Sequence, residues 1–364
     1  MWLTTLPDRR KAWLVTRYED VLRVLKDETF ARDKLNAIDR EQRAKTPWVP
    51  GFLKPLEHNM HDVDDLDHAR LRSLVGQTFT PRLIERLRGR VEALSEELLD
   101  AIERKGARRD GKGARRGRAE LVADYALPPP ATVIAELLGV PAEDHAKFHR
   151  WSNRLVIVSS SRDMVRALPA ALSFVRYLRK LLERRRADPQ DDLITALVQA
   201  EEAGDGLTED KLLAMAFLLL VAGYETTVNL IASGTLSGTL ALLEHPEQMK
   251  RLVYEPSLAK PAVEDLLRYT SPVDMATERY AREDVEMGGT TIPRGDLVLA
   301  VLGSANRDER QFEDPDVLDL ARVPNRHPAF GGGGVHHCLG APPARMEGQI
   351  AMNALLRRSP QARP

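Results

Sequence analysis

The sequence predicts a mainly α-helical protein with a small β region. Apolar residues between 60 and 270, and again between 340 and 358, recur at the three- and four-residue spacing of helices. Short β-prone runs bounded by polar turns lie near 1–16 and 273–300. A chain of 364 residues, 43% of them hydrophobic, is long enough to bury a large core, and we expect residues 1–364 to form a single domain.

Composition and charge argue against several classes of protein. The formal net charge of -1 argues against a globally basic nucleic-acid binder or a polybasic membrane protein. The longest apolar run, residues 212–223, is shorter than the roughly 20 residues that span a bilayer. The single cysteine excludes an intrachain disulfide framework and suits a reducing compartment. We therefore expect a cytoplasmic protein with no membrane or nucleic-acid partner.

The N-terminal residues predict a β-hairpin and a helix. Two β-prone runs, residues 2–5 and 12–16, flank the polar turn at 7–10. Residues 18–26 then show the apolar face of an amphipathic helix. The loop at 44–60 mixes prolines with large apolar residues, so it is either a wall or lid of a ligand site or a packed surface loop.

Further helices and one basic run follow in the middle of the chain. We predict helices at 91–103, 119–138, 143–161, 168–186 and 191–203, with a break at the prolines 128–130 and another at 139–141. The basic run at 104–118 is open to three interpretations: nucleic-acid contact, a solvated surface loop, or docking of an acidic electron carrier. We favour the surface loop because no aromatic residues interleave with the basic ones.

Residues 208–243 predict a long helix that is apolar nearly all round and therefore buried. Thr208 is a suitable N-cap for it. This helix contains a glycine, a carboxylate and a hydroxyl at Gly223, Glu225 and Thr226. Polar groups in a buried helix are costly unless they have hydrogen-bond partners. These residues indicate either a kink with internally bonded hydroxyls or a functional site.

The stretch from Phe330 to Gly340 contains the only cysteine, Cys338, directly after a glycine-rich run. A helix is predicted at 344–352, and a thiol near a helix N-terminus is favoured as the thiolate, the form that binds metals. Glycines let a flat cofactor approach the backbone. The alternative is a glycine-rich turn followed by an ordinary buried cysteine.

The residue order from Phe330 to Gly340, with glycine-x-His336-x-Cys338 inside it, resembles the haem-binding signature of the cytochrome P450 family in its bacterial soluble form. Residues 341–347 continue the match. The resemblance implies a P450-like fold, lacking the usual first helix and C-terminal hairpin, with haem b (iron protoporphyrin IX) as cofactor. Family members usually carry one residue fewer between Phe330 and Cys338. Either the phenylalanine is therefore displaced from the sulfur or the extra glycine bulges out.

The resemblance assigns haem contacts to the cysteine loop and to the long apolar helix. It implies that Cys338 is the axial ligand of the iron and that His336 hydrogen-bonds a haem propionate. Phe330 and Gly340 would lie against the cofactor beside the sulfur, and Ala222 would contact it from the helix.

Three residues elsewhere resemble the family's other propionate ligands. His68 and Arg72 are four apart, hence on one helix face, and present donors suited to a carboxylate. A solvated basic face is the alternative. Arg279 matches a third propionate ligand, with an ordinary surface arginine as the alternative.

Two further motifs resemble the family's catalytic and structural motifs. Gly223 would leave space for dioxygen, and Glu225 with Thr226 would deliver protons to it. Asp265 and Arg268, at i and i+3, occupy the family's Glu-x-x-Arg pair, which positions the cysteine loop. We expect His327, or less readily Arg322, to complete this carboxylate–arginine cluster.

The resemblance implies a haem-thiolate monooxygenase that inserts one oxygen atom from O2 into an apolar small molecule. Two electrons would come from NAD(P)H through a ferredoxin and its reductase, and we expect a monomer. A second hypothesis, motivated by the extra glycine, by Asp265 and by Pro343, is a catalytically impaired haem protein that only binds a ligand. A third is a helical scaffold without haem.

Overall fold

The computed structural model describes residues 1–39, 64–78, 81–109, 120–126, 128–156, 161–202, 208–228 and 234–358. The loop at 44–60 and most of the basic run at 104–118 lie outside these residues. The chain divides into two compact units: one combines the N-terminal residues with the chain from 233 onward, and the other holds mainly the helices from Asp65 to Ala232. Within the described residues, no helix combines the length and the apolar character needed to cross a bilayer.

Helices dominate the described chain, as predicted. They are α1 (Tyr18–Lys26), α2 (Asp65–Thr78), α3 (Pro81–Arg109), α4 (Pro128–Leu137), α5 (His145–Val156), α6 (Ser161–Ala187), α7 (Leu193–Glu202), α8 (Glu209–Val228), α9 (Gly234–Glu244), α10 (Pro246–Tyr254), α11 (Ala259–Thr270), α12 (Leu302–Ala305) and α13 (Ala341–Arg358). The helix predicted at 208–243 corresponds to α8 and α9, and residues 229–233 between them lie outside the described part.

The first unit contains two small sheets. Their strands are β1 (Trp2–Thr5), β2 (Lys11–Val15), β3 (Phe30–Ala31), β4 (Arg279–Ala281), β5 (Val285–Met287), β6 (Thr290–Ile292) and β7 (Leu297–Ala300). β1 and β2 form the predicted antiparallel hairpin, and the five-stranded order is β1-β2-β7-β4-β3. β2 runs parallel to β7, whereas β4 is antiparallel to both β7 and β3. β5 and β6 form a separate hairpin.

Strand β7 is buried along its whole length because both faces of the sheet are covered. Side chains alternate between the faces of a strand. Val298 and Ala300 accordingly pack into a cluster that includes the apolar side of α1, and Leu297 and Leu299 pack into a second cluster with Tyr280. The sheet is thus held by hydrophobic burial on both sides.

Helix α11 lies among the helices of the first unit and packs against α9 and α13. Glycines allow close approach at both contacts. A Cβ at Gly238 of α9 would lie 3.4 Å from Leu266, and one at Gly348 of α13 would lie 3.7 Å from Val263. This packing places α11 beside the helix that follows the cysteine loop.

In the second unit, the first half of α8 is largely buried. Leu212 and the four residues after it are fully buried, and the helix packs against α4, α5, α6 and α7. The predicted break near the prolines at 128–130 lies next to residue 127, which is outside the described part; a short helical segment, Val122–Ala126, precedes it and α4 begins at Pro128. Proline fits the first turn because the N–H groups there have no helical acceptor.

Candidate functional site

The cysteine loop is closed by a hydrogen bond between its two ends. The N–H of Cys338 donates to the carbonyl oxygen of Phe330 at 3.0 Å, and α13 begins soon afterwards at Ala341. Cys338 is exposed, and a Cβ at Gly340 would lie 3.7 Å from its sulfur. The thiol therefore lies close to a helix N-terminus, where the dipole favours the thiolate.

The glycine run adopts a conformation that other residues rarely reach. Its four φ angles lie between 64° and 91°. A Cβ at Gly332 would lie 2.4 Å from Leu22 of α1, and Gly333 and Gly334 lie against Lys26 of the same helix. The run thus packs onto α1, and the carbonyl oxygen of Phe330 is hydrogen-bonded to the N–H of Cys338.

Asp265 and Arg268 form a fully buried ion pair on α11. Arg268 Nε lies 2.6 Å from Asp265 Oδ1, and both side chains are 0% exposed. The other guanidinium nitrogens of Arg268 donate to the carbonyl oxygens of Asn306, Pro315 and Val317. Asp265 therefore reaches its arginine although it is one methylene shorter than glutamate.

Asp265 also holds the segment before the cysteine loop. The expectation that His327 completes the cluster around Asp265 is wrong. Its carboxylate accepts from the N–H of Asp319, from Arg322 Nε and from Asn325 Nδ2, at 2.7–3.1 Å. Arg322 thus completes the cluster in place of His327.

His327 instead contacts Glu264, the residue before Asp265, with Nε2 3.0 Å from Oε2. Consecutive residues of a helix point about 100° apart. The two adjacent carboxylates therefore serve different partners. Glu264 also accepts two hydrogen bonds from Arg345 of α13, at 2.7 and 2.9 Å. Neither Glu264 nor Arg345 is among the predicted site residues. The sequence signal for Glu264 is its position next to Asp265, and Arg345, which lies 81 residues away, has no such signal.

Arg279 lies on β4 and is 1% exposed. Its Nη1 donates to Thr277 and to the carbonyl of Glu278, whereas Nη2 has no hydrogen-bond partner among the described residues. Burial lowers the pKa of this guanidinium to about 10, although the charge of Asp64 opposes the shift. A buried cation with a vacant donor fits an anionic ligand such as a carboxylate.

The remaining predicted residues fall in several places. His336 is partly buried in the cysteine loop, near Cys338. His68, which is buried, and Arg72 lie on α2 in the second unit. The predicted residues of the long apolar helix lie within α8, but their side chains are outside the described part; they are Ala222, Gly223, Glu225 and Thr226. The structure thus brings together the cysteine-loop residues and, separately, the Asp265 cluster.

The first unit supplies groups suited to an iron porphyrin. The loop presents a thiol beside backbone without Cβ atoms, and Arg279 holds a vacant donor for a carboxylate. A thiolate and propionate-binding donors are the protein groups that such a cofactor requires.

Comparison with known proteins agrees with this chemistry. Residues 257–359 match the family model described as Cytochrome P450. The chain is 46% identical over 350 residues to the polyketide biosynthesis cytochrome P450 PksS of Bacillus subtilis (strain 168), covering 96% of this chain and 82% of that protein. It is 44% identical to cytochrome P450 107B1 of Saccharopolyspora erythraea, covering 97% and 83%. The solved structure of the Bacillus subtilis 168 PksS superposes with a TM-score of 0.87 at 43% identity, covering 99% of this chain and 86% of that one.

The helical fold and the thiol-bearing loop therefore define a haem-iron oxidoreductase. Relatives more than 40% identical over nearly the whole chain make the assignment specific. The chain belongs to the cytochrome P450 family and is a monooxygenase that adds one oxygen atom from O2 to an apolar substrate. These comparisons do not support the alternative of a catalytically silent homologue.

Proposed function

We propose that Cys338 is the axial thiolate of haem b in this monooxygenase, and that its substrate is an apolar small molecule of the polyketide class. The relative PksS, which carries polyketide biosynthesis in its name, supports the substrate class. Alignment with relatives over 96–97% of the chain supports one monooxygenase domain, residues 1–364. When bound, haem iron supplies the activation of dioxygen, assisted by electron density from the thiolate.

The cysteine loop holds the sulfur in place near the N-terminus of α13. The hydrogen bond from Cys338 to Phe330 and the positive φ angles of the glycines define the path of the loop. The N-terminus of α13 stabilises the thiolate. Gly340 adds no Cβ beside the sulfur, where one would lie 3.7 Å away, and would let a flat cofactor approach the backbone.

Arg279 is the propionate ligand for which the geometry argues most directly. Its guanidinium is aligned by three hydrogen bonds at Nη1, but Nη2 has no partner among the described residues. We assign the second donor in this unit to His336 and the remaining two to His68 and Arg72 of α2.

Residues of α8 manage oxygen and protons in this proposal. Gly223 leaves room for dioxygen next to Ala222, and Glu225 with Thr226 passes protons to it. The family likeness of this motif supports the assignment. The electrons come from NAD(P)H through a ferredoxin and its reductase, and we expect the protein to work in the cytoplasm, where such carriers are reduced.

The single observation that carries the proposal is the buried, partly unpaired Arg279 in the same unit as the Cys338 loop. The test is a carbon monoxide difference spectrum of the reduced, haem-loaded protein. We expect a Soret band at about 450 nm for a thiolate ligand. Cys338→Ser should lose this band and retain haem weakly. A wild-type band at about 420 nm would contradict the proposal, because the thiolate would be absent or protonated.

A further inference from the structure

Glu264 lies at the centre of a second carboxylate cluster, which the monooxygenase reaction as proposed does not use. Its two oxygens accept a bidentate pair of hydrogen bonds from Arg345 and a third from His327. Burial acts to raise the pKa of this carboxyl, but its donors outweigh burial and lower the pKa to about 2. Glu264 is therefore ionised at any physiological pH.

The first link runs from Glu264 through Arg345 to an aromatic ring. The guanidinium of Arg345 lies 4.3 Å from the ring centroid of Phe330, the geometry of a cation–π contact. The same guanidinium is held by two hydrogen bonds to Glu264, which restrict its position over the ring. The carboxylate thus determines where the cation meets the ring.

The second link runs through His327 to the backbone. Its Nδ1 accepts the N–H of Ala329 at 3.3 Å, so Nε2 carries the hydrogen that is donated to Glu264. His327 is thereby held at both nitrogens, and its ring lies 6.4 Å from that of Phe330. Glu264 therefore contacts both His327, three residues before Phe330, and Arg345, whose guanidinium lies over the Phe330 ring.

We propose that Glu264 is a positioning residue that orients Phe330, through Arg345 and His327, and so holds the Cys338 loop. The carbonyl oxygen of Phe330 accepts the N–H of Cys338, which connects this network to the sulfur-bearing residue. Asp265 holds residues 319–325, and Glu264 holds the next stretch, 327–330. This inference rests on the proposed function, in which Cys338 is the haem ligand.

The test measures how fast the reduced, carbon monoxide-bound holoprotein converts from the band at about 450 nm to that at about 420 nm, at a temperature below global unfolding. Glu264→Gln and Arg345→Lys should each accelerate this conversion by about 5- to 30-fold, the effect of losing 1–2 kcal/mol of local stabilisation. The double variant should be no faster than the more severe single variant, because both act through one network.

The exposed pair Glu85–Arg88 of α3, with nitrogen and oxygen 3.0 Å apart, offers matched controls. Glu85→Gln and Arg88→Lys should leave the conversion rate unchanged, and urea unfolding of all variants separates a loop effect from general destabilisation. Unchanged rates in the Glu264 and Arg345 variants would overturn the positioning role. So would additive effects, or an equal acceleration in a core variant of the second unit that loses the same unfolding free energy, such as Leu212→Ala. A wild-type protein without the 450 nm band would instead overturn the proposed function. If Glu264→Gln does not fold, Arg345→Lys, which keeps the charge, is the test: a faster conversion supports the positioning role and an unchanged rate contradicts it.

Discussion

Arg268 and Arg279 are both buried in the same unit, yet they are satisfied in opposite ways. Arg268 has a buried carboxylate partner, Asp265, and its other nitrogens donate to three backbone carbonyls. Arg279 has only oxygen atoms of Thr277 and Glu278 around Nη1, and no partner at Nη2 within the described residues. Arg268 uses its donors within the protein, whereas Arg279 has a donor at Nη2 without a partner among the described residues.

This difference distinguishes a structural charge from a ligand-binding charge. Burying an unpaired cation is costly, so a fold keeps one only where something compensates. At Arg268 the compensation comes from the chain itself. At Arg279 the pKa remains lowered to about 10 by burial, and an anionic ligand would relieve that cost.

The largest effect should come from breaking the satisfied pair. Arg268→Met leaves Asp265 as a buried carboxylate without its main partner, and we expect a loss of about 3–5 kcal/mol in unfolding free energy. Urea denaturation measures this loss. Asp265→Glu, which restores the family's usual acid, is the conservative control and should cost far less. If Arg268→Met is as stable as the wild type, the pair has no structural role.

Arg279→Met should have the opposite effect: it should weaken haem binding and leave the unfolding free energy of the haem-free protein nearly unchanged. Because no described residue pairs with Nη2, we expect the haem-free protein to keep its stability. Haem affinity should fall by about 10- to 100-fold through loss of one charged hydrogen bond. Titration of haem into the haem-free protein, followed by absorbance, measures the affinity. A haem-free variant as unstable as Arg268→Met would remove the distinction between the two arginines.

Glu347 of α13 extends the comparison to an acid. It is 2% exposed, its Oε2 has no partner among the described residues, and burial raises its pKa to about 8. Unlike Arg279, it avoids an unpaired charge by binding a proton. The native state binds that proton up to about pH 8, whereas the unfolded chain releases it above about pH 4.5. Stability should therefore fall as pH rises between these values.

The stability of the wild type relative to Glu347→Gln should fall by about 2–3 kcal/mol between about pH 5 and pH 8. The glutamine variant is the matched reference because its amide is close in shape to the carboxyl and stays neutral throughout this range. Urea unfolding across the same range measures the slope. Parallel curves for the two proteins would show that the carboxyl is ionised in the native state.

Glu264 should show a smaller effect of opposite sign. Its native pKa is about 2, below that of the unfolded chain, so its stabilising contribution is complete above about pH 4.5 and is lost as pH falls towards 2. Allowing for partial exposure, we expect Glu264→Gln to cost about 1–2 kcal/mol at pH 7, a difference that shrinks on acidification. Unfolding of both proteins from neutral pH to about pH 3 measures it. A difference that does not change with pH would exclude the ionised carboxylate as its cause.

The elements that are predicted well depend on short-range rules. The hairpin β1–β2, helix α1 and the contact between Asp265 and Arg268 each involve residues close in sequence, where turn chemistry, periodicity and the i,i+3 spacing apply. Pro128 begins α4 for a similarly local reason, because proline fits the first turn of a helix.

The sequence by itself determined the mainly helical class, the small β region and the thiol-bearing loop, since each follows from local pattern or from a motif of fixed spacing. Only the tertiary structure decided which of two adjacent acids holds which part of the chain. His327 lies 63 residues from Glu264, and Arg322 lies 57 residues from Asp265. These contacts form because α11 packs against α13 and against the segment that precedes the cysteine loop. No local rule encodes a contact over that distance, because it forms only once the hydrophobic core has brought the segments together.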